Sequence, residues 1–316
     1  MGKNGSVLVT GVAGFVGSHL AERLVKNYNV IGVDCFTDYY STRTKERNLH
    51  NLVGNKKFRL IKANLSETDL RKLDIKYVFH QAGQPGVRAS WGKQFEIYIK
   101  DNILATQKLL ESFLDSDLEK FVFASSSSVY GDAKHLPIIE DELPRPISPY
   151  GVTKLAAENL CTLYYKNYRL PTVSLRYFTV YGPRQRPDMA VNKFIRSVVN
   201  GKEIVIYGDG NQTRDLTYVS DVVDANILAA RRNAEGEVFN IAGGSRISVL
   251  DLITKIEKMI GKRTKKSFIE KQKGDVADTW ASIKKAKEML GYSPKVTLDE
   301  GLKKQIEWQL EISHSE

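Results

Sequence analysis

The chain has few of the residues that build extracellular or metal-stabilised proteins. Cys35 and Cys161 are the only cysteines among 316 residues, too few for a disulfide framework or a thiolate metal site. Long apolar runs are missing too, since none approaches the roughly 18 residues that a membrane-spanning helix needs. The basic start leads directly into a strand-like run at Ser6–Thr10, which argues against a signal peptide. These absences predict a cytosolic protein with no bound metal and no membrane partner.

The formal net charge of +10 raises the question of nucleic-acid binding. The lysines, however, are scattered over helical and loop segments, as is usual for solvated faces. No motif for reading nucleic acid accompanies them. We therefore expect no nucleic-acid partner, and we expect part of the positive excess to attract an anionic substrate.

The first half of the chain alternates short β-branched runs with amphipathic segments. The predicted strands are Ser6–Thr10, Asn29–Asp34, Phe58–Ala63, Tyr77–Ala82, Phe121–Ser125 and Thr172–Tyr177. The predicted helices between them are Phe15–Lys26, Gln94–Asp115 and Pro149–Tyr168. The apolar run Val7-Leu8-Val9 suits a strand that is buried on both faces of a parallel sheet. This alternation predicts an α/β fold with a doubly wound parallel sheet of the Rossmann type.

The second half breaks into shorter pieces separated by glycine-rich turns. Its predicted helices are Asp221–Asn233, Val249–Ile260 and Leu298–Ile312, and Glu237–Ala242 predicts a strand that returns to the main sheet. We therefore expect a dinucleotide-binding domain at residues 1–177, completed by about 216–242. A smaller C-terminal substrate-binding domain is expected at 178–215 and 243–316.

The segment Thr10–Gly17 joins the first predicted strand to the first helix and is rich in glycine. Gly11 permits a tight turn, Gly14 lets backbone N–H groups approach a pyrophosphate, and Gly17 allows close packing of the helix on the sheet. The helix N-terminus adds a positive dipole end for the phosphates. Asp34, at the end of the second strand, accepts both ribose hydroxyls of NAD and repels the extra phosphate of NADP. The segment predicts NAD binding.

Tyr150 and Lys154 are four residues apart at the start of a predicted helix. Ser148 is its expected N-cap, and Pro149 stands in the first turn. The two side chains then lie one above the other on one helix face. A nearby ammonium and the positive nicotinamide ring would lower the pKa of the phenol and let it act as a base. The pair predicts oxidation of a hydroxyl group.

Ser125-Ser126-Ser127-Ser128 follows at the end of the fifth predicted strand, where open α/β sheets bind their ligands. These hydroxyls are candidates to hold the substrate oxygen and to relay its proton to Tyr150. Ser126 is the best single choice, so the predicted catalytic residues are Tyr150, Lys154 and Ser126.

Together these motifs resemble the extended short-chain dehydrogenase/reductases of the nucleotide-sugar epimerase/dehydratase family. The glycine pattern of residues 11–17, Asn102 and Arg176-Tyr177-Phe178 match as well, and the match extends over essentially the whole chain. Asn64 stands where the family more often has Asp. The resemblance implies that the following residues bind NAD: Gly11, Gly14, Phe15, Val16, Gly17, Asp34, Asn64, Leu65, Gln81, Ala82, Gly83, Asn102, Tyr150, Lys154 and Tyr177.

The family carries out several reactions, and the serine run discriminates among them. Sugar 4,6-dehydratases place Asp and then Glu after the catalytic hydroxyl residue, in order to eliminate water. Here Ser127 and Ser128 occupy the two positions, which argues against dehydration. UDP-glucuronate decarboxylases commonly carry Glu at the second position. The resemblance therefore favours 4-epimerisation through a transient 4-keto sugar.

The segment around Thr179 indicates which sugar is bound. Galactose epimerases typically have Asn there, whereas Thr179 followed by residues 184–189 is similar to UDP-glucuronate 4-epimerases. Hydroxyls of Ser127, Ser128 and Thr179, with the charge of either Arg88 or Arg186, would bind the uronate carboxylate. Tyr207 is expected to stack on a base and Arg214 to clamp the diphosphate. The predicted substrate-binding residues are Arg88, Ser127, Ser128, Thr179, Arg186, Lys193, Tyr207, Gln212, Arg214 and Asp275.

Several alternatives stay open at this point. A UDP-glucose or UDP-N-acetylglucosamine 4-epimerase and a UDP-glucuronate decarboxylase would share the scaffold, and a dinucleotide-sensing regulator would share the fold without the chemistry. In this family the segments Gln94–Asp115 and Pro149–Tyr168 pair with their copies as a four-helix dimer interface. We expect a homodimer, although from pattern alone the two segments fit core helices equally well.

Overall fold

The structure, a computed structural model, describes residues 5–313. In this range the strands are β1 Ser6–Thr10, β2 Asn29–Asp34, β3 Phe58–Lys62, β4 Tyr77–His80, β5 Lys120–Ser126, β6 Thr172–Tyr177, β7 Thr179–Tyr181, β8 Ile204–Tyr207, β9 Thr213–Tyr218, β10 Val238–Ile241, β11 Ser245–Ser248 and β12 Lys266–Ile269. Seven of them form one parallel sheet in the order β10-β6-β5-β4-β1-β2-β3. The predicted Rossmann-type sheet is confirmed.

The helices surround this sheet and connect its strands. They are α1 Phe15–Leu24, α2 Thr42–Asn48, α3 Phe95–Tyr98, α4 Ala105–Glu111, α5 Pro149–Tyr168, α6 Ala190–Val199, α7 Val219–Arg231, α8 Val249–Ile260 and α9 Leu298–Ser313. Short 3₁₀ turns lie at Arg88–Ser90, Gly92–Gln94 and Ser127–Val129, and π-helical turns at Ile99–Leu104 and Ala286–Leu290. Over residues 5–313, none of these helices has both the length and the apolarity to cross a membrane.

Both faces of the parallel sheet are buried. Val7 and Val9 point into a core that also contains side chains of α1 and α7, whereas Leu8 points into a second core with side chains of α4 and α5. Side chains of one strand alternate between its two faces, so a continuous apolar run fills both cores. The prediction that Val7-Leu8-Val9 is buried on both faces is confirmed.

The C-terminal part of the chain adds two small sheets. One has the order β11-β9-β7, and the other pairs β12 with β8. The strand β10 instead pairs in parallel with β6, so the predicted return of the chain to the main sheet is confirmed. The division into two domains with the bounds given above stays a prediction.

The residues at the two ends of α5 explain where this helix begins and ends. Ser148 accepts a hydrogen bond from the backbone N–H of Gly151 at 3.1 Å, and Pro149 occupies the first turn. Arg169 follows the helix in the left-handed region, with φ of 59°. The predicted cap and the predicted bounds of this helix are both confirmed.

The helix predicted at Gln94–Asp115 is present from Phe95 to Glu111, but it contains a π-helical turn that was not predicted. The segment forms α3, then the π-helical turn Ile99–Leu104, then α4. The π turn contains Asn102, which hydrogen-bonds the backbone of Gln84 and the hydroxyl of Thr153. Periodicity alone did not indicate the extra residue that such a turn inserts. The bounds of the other predicted elements agree with the structure within two residues.

Candidate active site

The predicted site residues lie around one cavity of about 1080 Å³. It opens at the carboxyl ends of β1, β4 and β5, the edge at which ligands bind in sheets of this topology. The opposite wall comes from the C-terminal part of the chain and includes Tyr207 and Asp275. Among the residues predicted from the sequence, Asn102 is the exception, since it does not line this cavity.

The loop between β1 and α1 leaves no room for side chains at two of its glycines. Gly11 has φ of +65°, and a Cβ atom there would lie 2.8 Å from Cα of Ala82. A Cβ atom at Gly17 would lie 2.1 Å from the carbonyl oxygen of Gly11. The loop therefore packs directly on the end of β4 and on the first turn of α1. Through Gly14 and Phe15 the positive N-terminal end of α1 faces the cavity, which suits a diphosphate.

Asp34 ends β2 at the same edge of the sheet. Its carboxylate accepts hydrogen bonds from the backbone N–H groups of Ala13 (3.0 Å) and Phe36 (2.8 Å), which fix it in the cavity wall. A fixed negative charge there favours the ribose hydroxyls of NAD over a 2′-phosphate. Asn64 and Leu65 line the same end, and the side-chain oxygen of Asn64 accepts the N–H of Ser66 at 2.9 Å.

Tyr150 lines the cavity and meets both polar and charged groups there. Burial raises the pKa of its phenol, whereas a hydrogen bond with Ser126 and the positive charge of Arg186 lower it. The sequence predicted that the ammonium of Lys154 supplies this charge. In the structure the positive charge of Arg186 acts on the phenol as well, and the role of Lys154 stays a prediction.

The ammonium of Lys154 lies near the loop after β4. A Cβ atom at Gly83 would lie only 3.9 Å from its ammonium, which also lies 4.4 Å from the centre of the Phe123 ring. Burial lowers the pKa of Lys154 to about 8, while Cys161 and Glu158 counteract this. The ammonium is thus placed next to the loop that follows β4, in the wall of the cavity that Tyr150 also lines.

Hydroxyl groups surround the phenol on the side of β5. Ser126 bonds with Tyr150 and accepts the backbone N–H of Ser128 at 3.1 Å. Ser127 and Ser128 stand in the 3₁₀ turn that follows, and Thr179 starts β7; all three line the cavity. The structure therefore brings the four predicted hydroxyls together around one space.

Arg186 belongs to a cluster that sequence reasoning found only in part. Its guanidinium donates two hydrogen bonds to Asp188, at 3.0 and 3.1 Å, and only 20% of its side chain is exposed. Tyr39, from the loop after β2, donates at 3.3 Å to Oδ2 of this carboxylate, the oxygen that also accepts from Nη2 of Arg186. Asp188 stands only two residues after Arg186, so this ion pair could have been predicted from the sequence. Nothing in the sequence indicated Tyr39.

Arg88 lies at a different part of the cavity, against the C-terminal sheet. It forms an ion pair with Asp275 at 2.7 Å, and its guanidinium lies 3.9 Å from the centre of the Tyr207 ring. Three residues predicted to bind substrate are therefore in contact with one another. The Tyr207 face that was expected to hold a base is covered by Arg88 in this structure.

Arg214 and Gln212 hold loops in place around the same end. Arg214 donates to the carbonyl oxygens of Val276 and Ala277 at 2.9 and 3.0 Å. Gln212 donates to the carbonyl oxygen of Tyr207 at 2.7 Å. Both residues line the cavity, as does the exposed Lys193 of α6. All three therefore lie in the cavity that was expected to bind the substrate.

Tyr177 and Gln81 meet at the floor of the cavity. The Tyr177 hydroxyl donates to the side-chain oxygen of Gln81 at 3.1 Å, and both residues bond with Asn226 of α7. Asn226 is fully buried, and no motif in the sequence indicated it. Asn102 is equally buried and holds Gln84 and Thr153 from behind, so it supports the cavity wall without facing the cavity.

Comparisons with known proteins agree with this geometry. A sequence model of the NAD dependent epimerase/dehydratase family matches residues 7–242. This chain belongs to that family. The resemblance inferred from the motifs is thereby confirmed, and with it NAD as the cofactor.

Individual members of the family match over nearly the full chain. The UDP-glucuronate 4-epimerase of Thermodesulfobacterium geofontis is 38% identical, with 97% of each chain covered. A crystal structure of UDP-glucuronic acid 4-epimerase from Bacillus cereus, in complex with UDP-glucuronic acid and NAD, is 46% identical, covers 97% of this chain and 99% of its own, and superimposes with a TM-score of 0.95. A UDP-glucose 4-epimerase from Thermotoga maritima with UDP-glucose is 35% identical, covers 98% and 99%, and reaches a TM-score of 0.90.

The residues present fit the cofactor of this epimerase/dehydratase family. The close contact of Gly11 with Ala82 forms a cradle that any side chain would fill, and the N-terminus of α1 faces it. Asp34 is fixed at the ribose end, and Lys154 lies beside Gly83 at the other end. These residues would hold the diphosphate, the adenosine ribose and the nicotinamide ribose in turn.

Proposed function

We propose that the protein is a UDP-glucuronate 4-epimerase that interconverts UDP-glucuronate and UDP-galacturonate, and is therefore an isomerase. One observation carries this proposal: Arg186, held by Asp188, lines the same cavity as Tyr150 and the hydroxyls of Ser126–Ser128 and Thr179. A positive charge and several hydroxyls next to the reacting group suit a sugar with a carboxylate at carbon 6. The named activities of the matching epimerases support the same substrate.

The contacts of the two arginines support different roles for them. Arg88 is engaged by Asp275 and Tyr207 at the far end of the cavity, where the C-terminal part would bind the nucleotide. Arg186 acts on Tyr150 through its charge. We therefore assign the carboxylate to Arg186. The UDP group is assigned to Arg88, Lys193, Tyr207, Gln212, Arg214 and Asp275.

The reaction depends on proton transfer at carbon 4. When bound, NAD accepts a hydride from carbon 4 and returns it to the opposite face of the sugar. Tyr150 removes the proton of the 4-hydroxyl and later returns it, and Ser126 orients that hydroxyl through its bond to the phenol. Lys154 keeps a positive charge at the nicotinamide ribose. No group is lost in this cycle, which fits serines at positions 127 and 128.

The 4-keto form of a glucuronate is a β-keto acid and tends to lose carbon dioxide. Decarboxylation requires the breaking bond to stand out of the carbonyl plane, so fixed hydrogen bonds that hold the carboxylate near this plane suppress it. Thr179, Ser127 and Ser128 line the cavity where such bonds are needed. We assign them this role, with Arg186 as the charged partner.

A product assay on the purified protein tests the proposal. Incubation with UDP-glucuronate should give UDP-galacturonate, without net reduction of NAD and without UDP-pentose. Under the same conditions, UDP-glucose and UDP-N-acetylglucosamine should be turned over much more slowly. Preferred turnover of a neutral sugar, or a UDP-pentose as main product, would contradict the proposal. Bound NAD with no turnover on any of the three would favour a dinucleotide-sensing regulator.

The variant Thr179→Ala should decarboxylate part of its substrate during turnover. Without this hydroxyl the carboxylate gains freedom to leave the carbonyl plane, so we expect UDP-pentose to rise at least severalfold relative to epimer. Chromatography of the nucleotide sugars measures the ratio. Thr217→Ala, which removes another buried hydroxyl of the C-terminal sheet away from the cavity, is the control. If Thr179→Ala formed no UDP-pentose and kept full epimerisation, Thr179 would have no such role.

We infer that the protein forms a homodimer through α3, α4 and α5. These helices pack together, and with the π turn Ile99–Leu104 they still expose large apolar side chains, including Ile97, Leu104 and Leu163, the last of them 51% exposed. Gel filtration should show a dimer for the wild type and a monomer for Leu163→Glu. Val53→Glu, at an exposed apolar side chain outside these helices, should leave the dimer intact. A monomeric wild type would contradict this inference.

We place the protein in the cytoplasm. Its two cysteines, Cys35 and Cys161, are both free thiols, which suits a reducing compartment.

A further inference from the structure

His80 ends β4 between the cofactor loop and the catalytic helix, and its side chain is fully buried. Its Nδ1 lies 2.8 Å from Oγ1 of Thr10, the residue that precedes Gly11. Its Nε2 lies 2.9 Å from Oγ1 of Thr106 on α4. The imidazole does not line the cavity and takes no part in the chemistry described above. A buried imidazole with a partner on each nitrogen is a rigid link between the elements that supply those partners.

The neighbouring bonds fix the direction of every hydrogen bond in this link. The Thr106 hydroxyl donates to the carbonyl oxygen of Asn102 at 2.6 Å, so it accepts from His80, and Nε2 carries the proton. Thr10 accepts the N–H of Ala82 at 3.2 Å and donates its own proton to Nδ1. Burial and the charge of Lys154 lower the pKa of His80 to about 3. The ring therefore stays neutral, in a single tautomer, over the working pH range.

The link continues from Asn102 to the catalytic tyrosine. The side-chain amide of Asn102 donates to the Thr153 hydroxyl at 3.0 Å, and this hydroxyl donates to the carbonyl oxygen of Tyr150 at 2.8 Å. The same amide group of Asn102 pairs with the backbone of Gln84 after β4. One chain of hydrogen bonds thus extends from the glycine-rich loop to the backbone of Tyr150.

We propose that His80 is a positioning residue, and that the chain of hydrogen bonds Thr10–His80–Thr106–Asn102–Thr153 sets the position of Tyr150 relative to the bound cofactor. Hydride transfer and proton transfer act on the same carbon, so a displacement of either partner by a fraction of an ångström lowers the rate. The chain joins the start of the glycine-rich loop to the backbone of Tyr150, and none of its five residues lines the cavity. It therefore acts on turnover and not on substrate affinity. The inference rests on the NAD-dependent reaction proposed above.

The substitution Thr106→Val tests this, because valine keeps the shape of threonine and removes only the hydroxyl that joins His80 to Asn102. We expect kcat to fall about tenfold while KM for the UDP-sugar changes less than twofold. Thr106→Ser, which keeps the hydroxyl, should restore kcat to within twofold of the wild type. The matched control is Thr172→Val, which removes a buried hydroxyl bonded to the carbonyl oxygen of Cys161, outside the chain. Thr172→Val should lower the free energy of unfolding about as much as Thr106→Val does, and it should leave kcat unchanged.

A double variant distinguishes a connected chain from independent contacts. Once Thr106→Val has interrupted the chain, adding Thr153→Val should lower kcat little further, so the two losses should not multiply. The proposal would be overturned if the kcat losses of Thr106→Val and Thr153→Val multiplied in the double variant. It would also be overturned if Thr106→Val and Thr172→Val had equal kcat values. The assay uses whichever UDP-sugar the wild type turns over, so an error in the uronate assignment shows in the wild type and leaves this comparison intact.

Discussion

Replacing Tyr150 by phenylalanine is expected to lower kcat by about 10²–10⁴-fold, with little change in the affinity for UDP-sugar. In the proposed reaction the phenol exchanges a proton with the 4-hydroxyl, and its bond with Ser126 and the charge of Arg186 both lower its pKa. The aromatic ring would stay in its edge-on contact with Tyr98, at 6.3 Å between ring centres, so the fold should be preserved. Steady-state kinetics and binding of the UDP-sugar to the variant measure the two effects separately.

A second tyrosine on the same helix provides the matched control. Tyr164 is buried on α5, outside the cavity, and its hydroxyl bonds with Glu111 and Gln107. Tyr164→Phe should change stability and leave kcat close to that of the wild type. If Tyr150→Phe kept more than a tenth of the wild-type kcat, another group would have to act as the base.

The substitution Glu158→Gln is expected to destabilise the protein and to change its pH profile. Glu158 receives hydrogen bonds from Arg176 at 2.6 and 3.0 Å and from Ser125 at 2.6 Å, all of them buried. Removing one partner of a buried ion pair leaves the other charge without compensation, which typically costs about 3–5 kcal/mol. Urea denaturation of the variant should show a loss of this order.

The effect on pH follows from the position of Glu158 one turn beyond Lys154. Its negative charge favours the ammonium form, whereas burial lowers the pKa of Lys154 to about 8. Activity that needs this ammonium is present below that value and is lost as the pH rises through it. Without the carboxylate the pKa of Lys154 falls further, so the alkaline limb of the kcat profile should move to lower pH.

An exposed ion pair provides the control for Glu158→Gln. Glu67 pairs with Lys100 at 2.7 Å on the surface, with both side chains largely in solvent. Glu67→Gln should leave both the urea midpoint and the alkaline limb close to those of the wild type, because exposed pairs contribute little. An unchanged alkaline limb in Glu158→Gln would mean that Glu158 does not set the charge of Lys154.

Much of the fold followed from local properties of the sequence. The apolar run Val7-Leu8-Val9 predicted a strand buried on both faces, and Ser148-Pro149 predicted the start of α5. Gly11 predicted a tight turn, and its φ of +65° agrees with that; Gly17, predicted to let the helix pack on the sheet, packs on the carbonyl oxygen of Gly11. Burial pattern, helix capping and allowed φ values are each set by a residue and its near neighbours, so they can be read without knowledge of the fold.

The identities of the site residues were largely predictable for a related reason. Tyr150 and Lys154 stand one helical turn apart, and the serine run ends a strand of a parallel sheet. Once the sheet was predicted, its topology placed these segments at one edge. What the spacing did not indicate was how each charge is partnered, for example that Arg186 pairs with Asp188.

The sequence by itself determined the parallel sheet and the cofactor loop. Through Tyr150 and Lys154 it also indicated the family to which the chain belongs. The tertiary structure alone decided that the charge of Arg186 acts on Tyr150, that Tyr39 reaches Asp188, and that Asn102 supports the cavity from behind. The physical reason is that charges and hydrogen bonds act between neighbours in space and fall off within a few ångströms. These partners come from separate loops, and only the packing of those loops brings them within reach of one another.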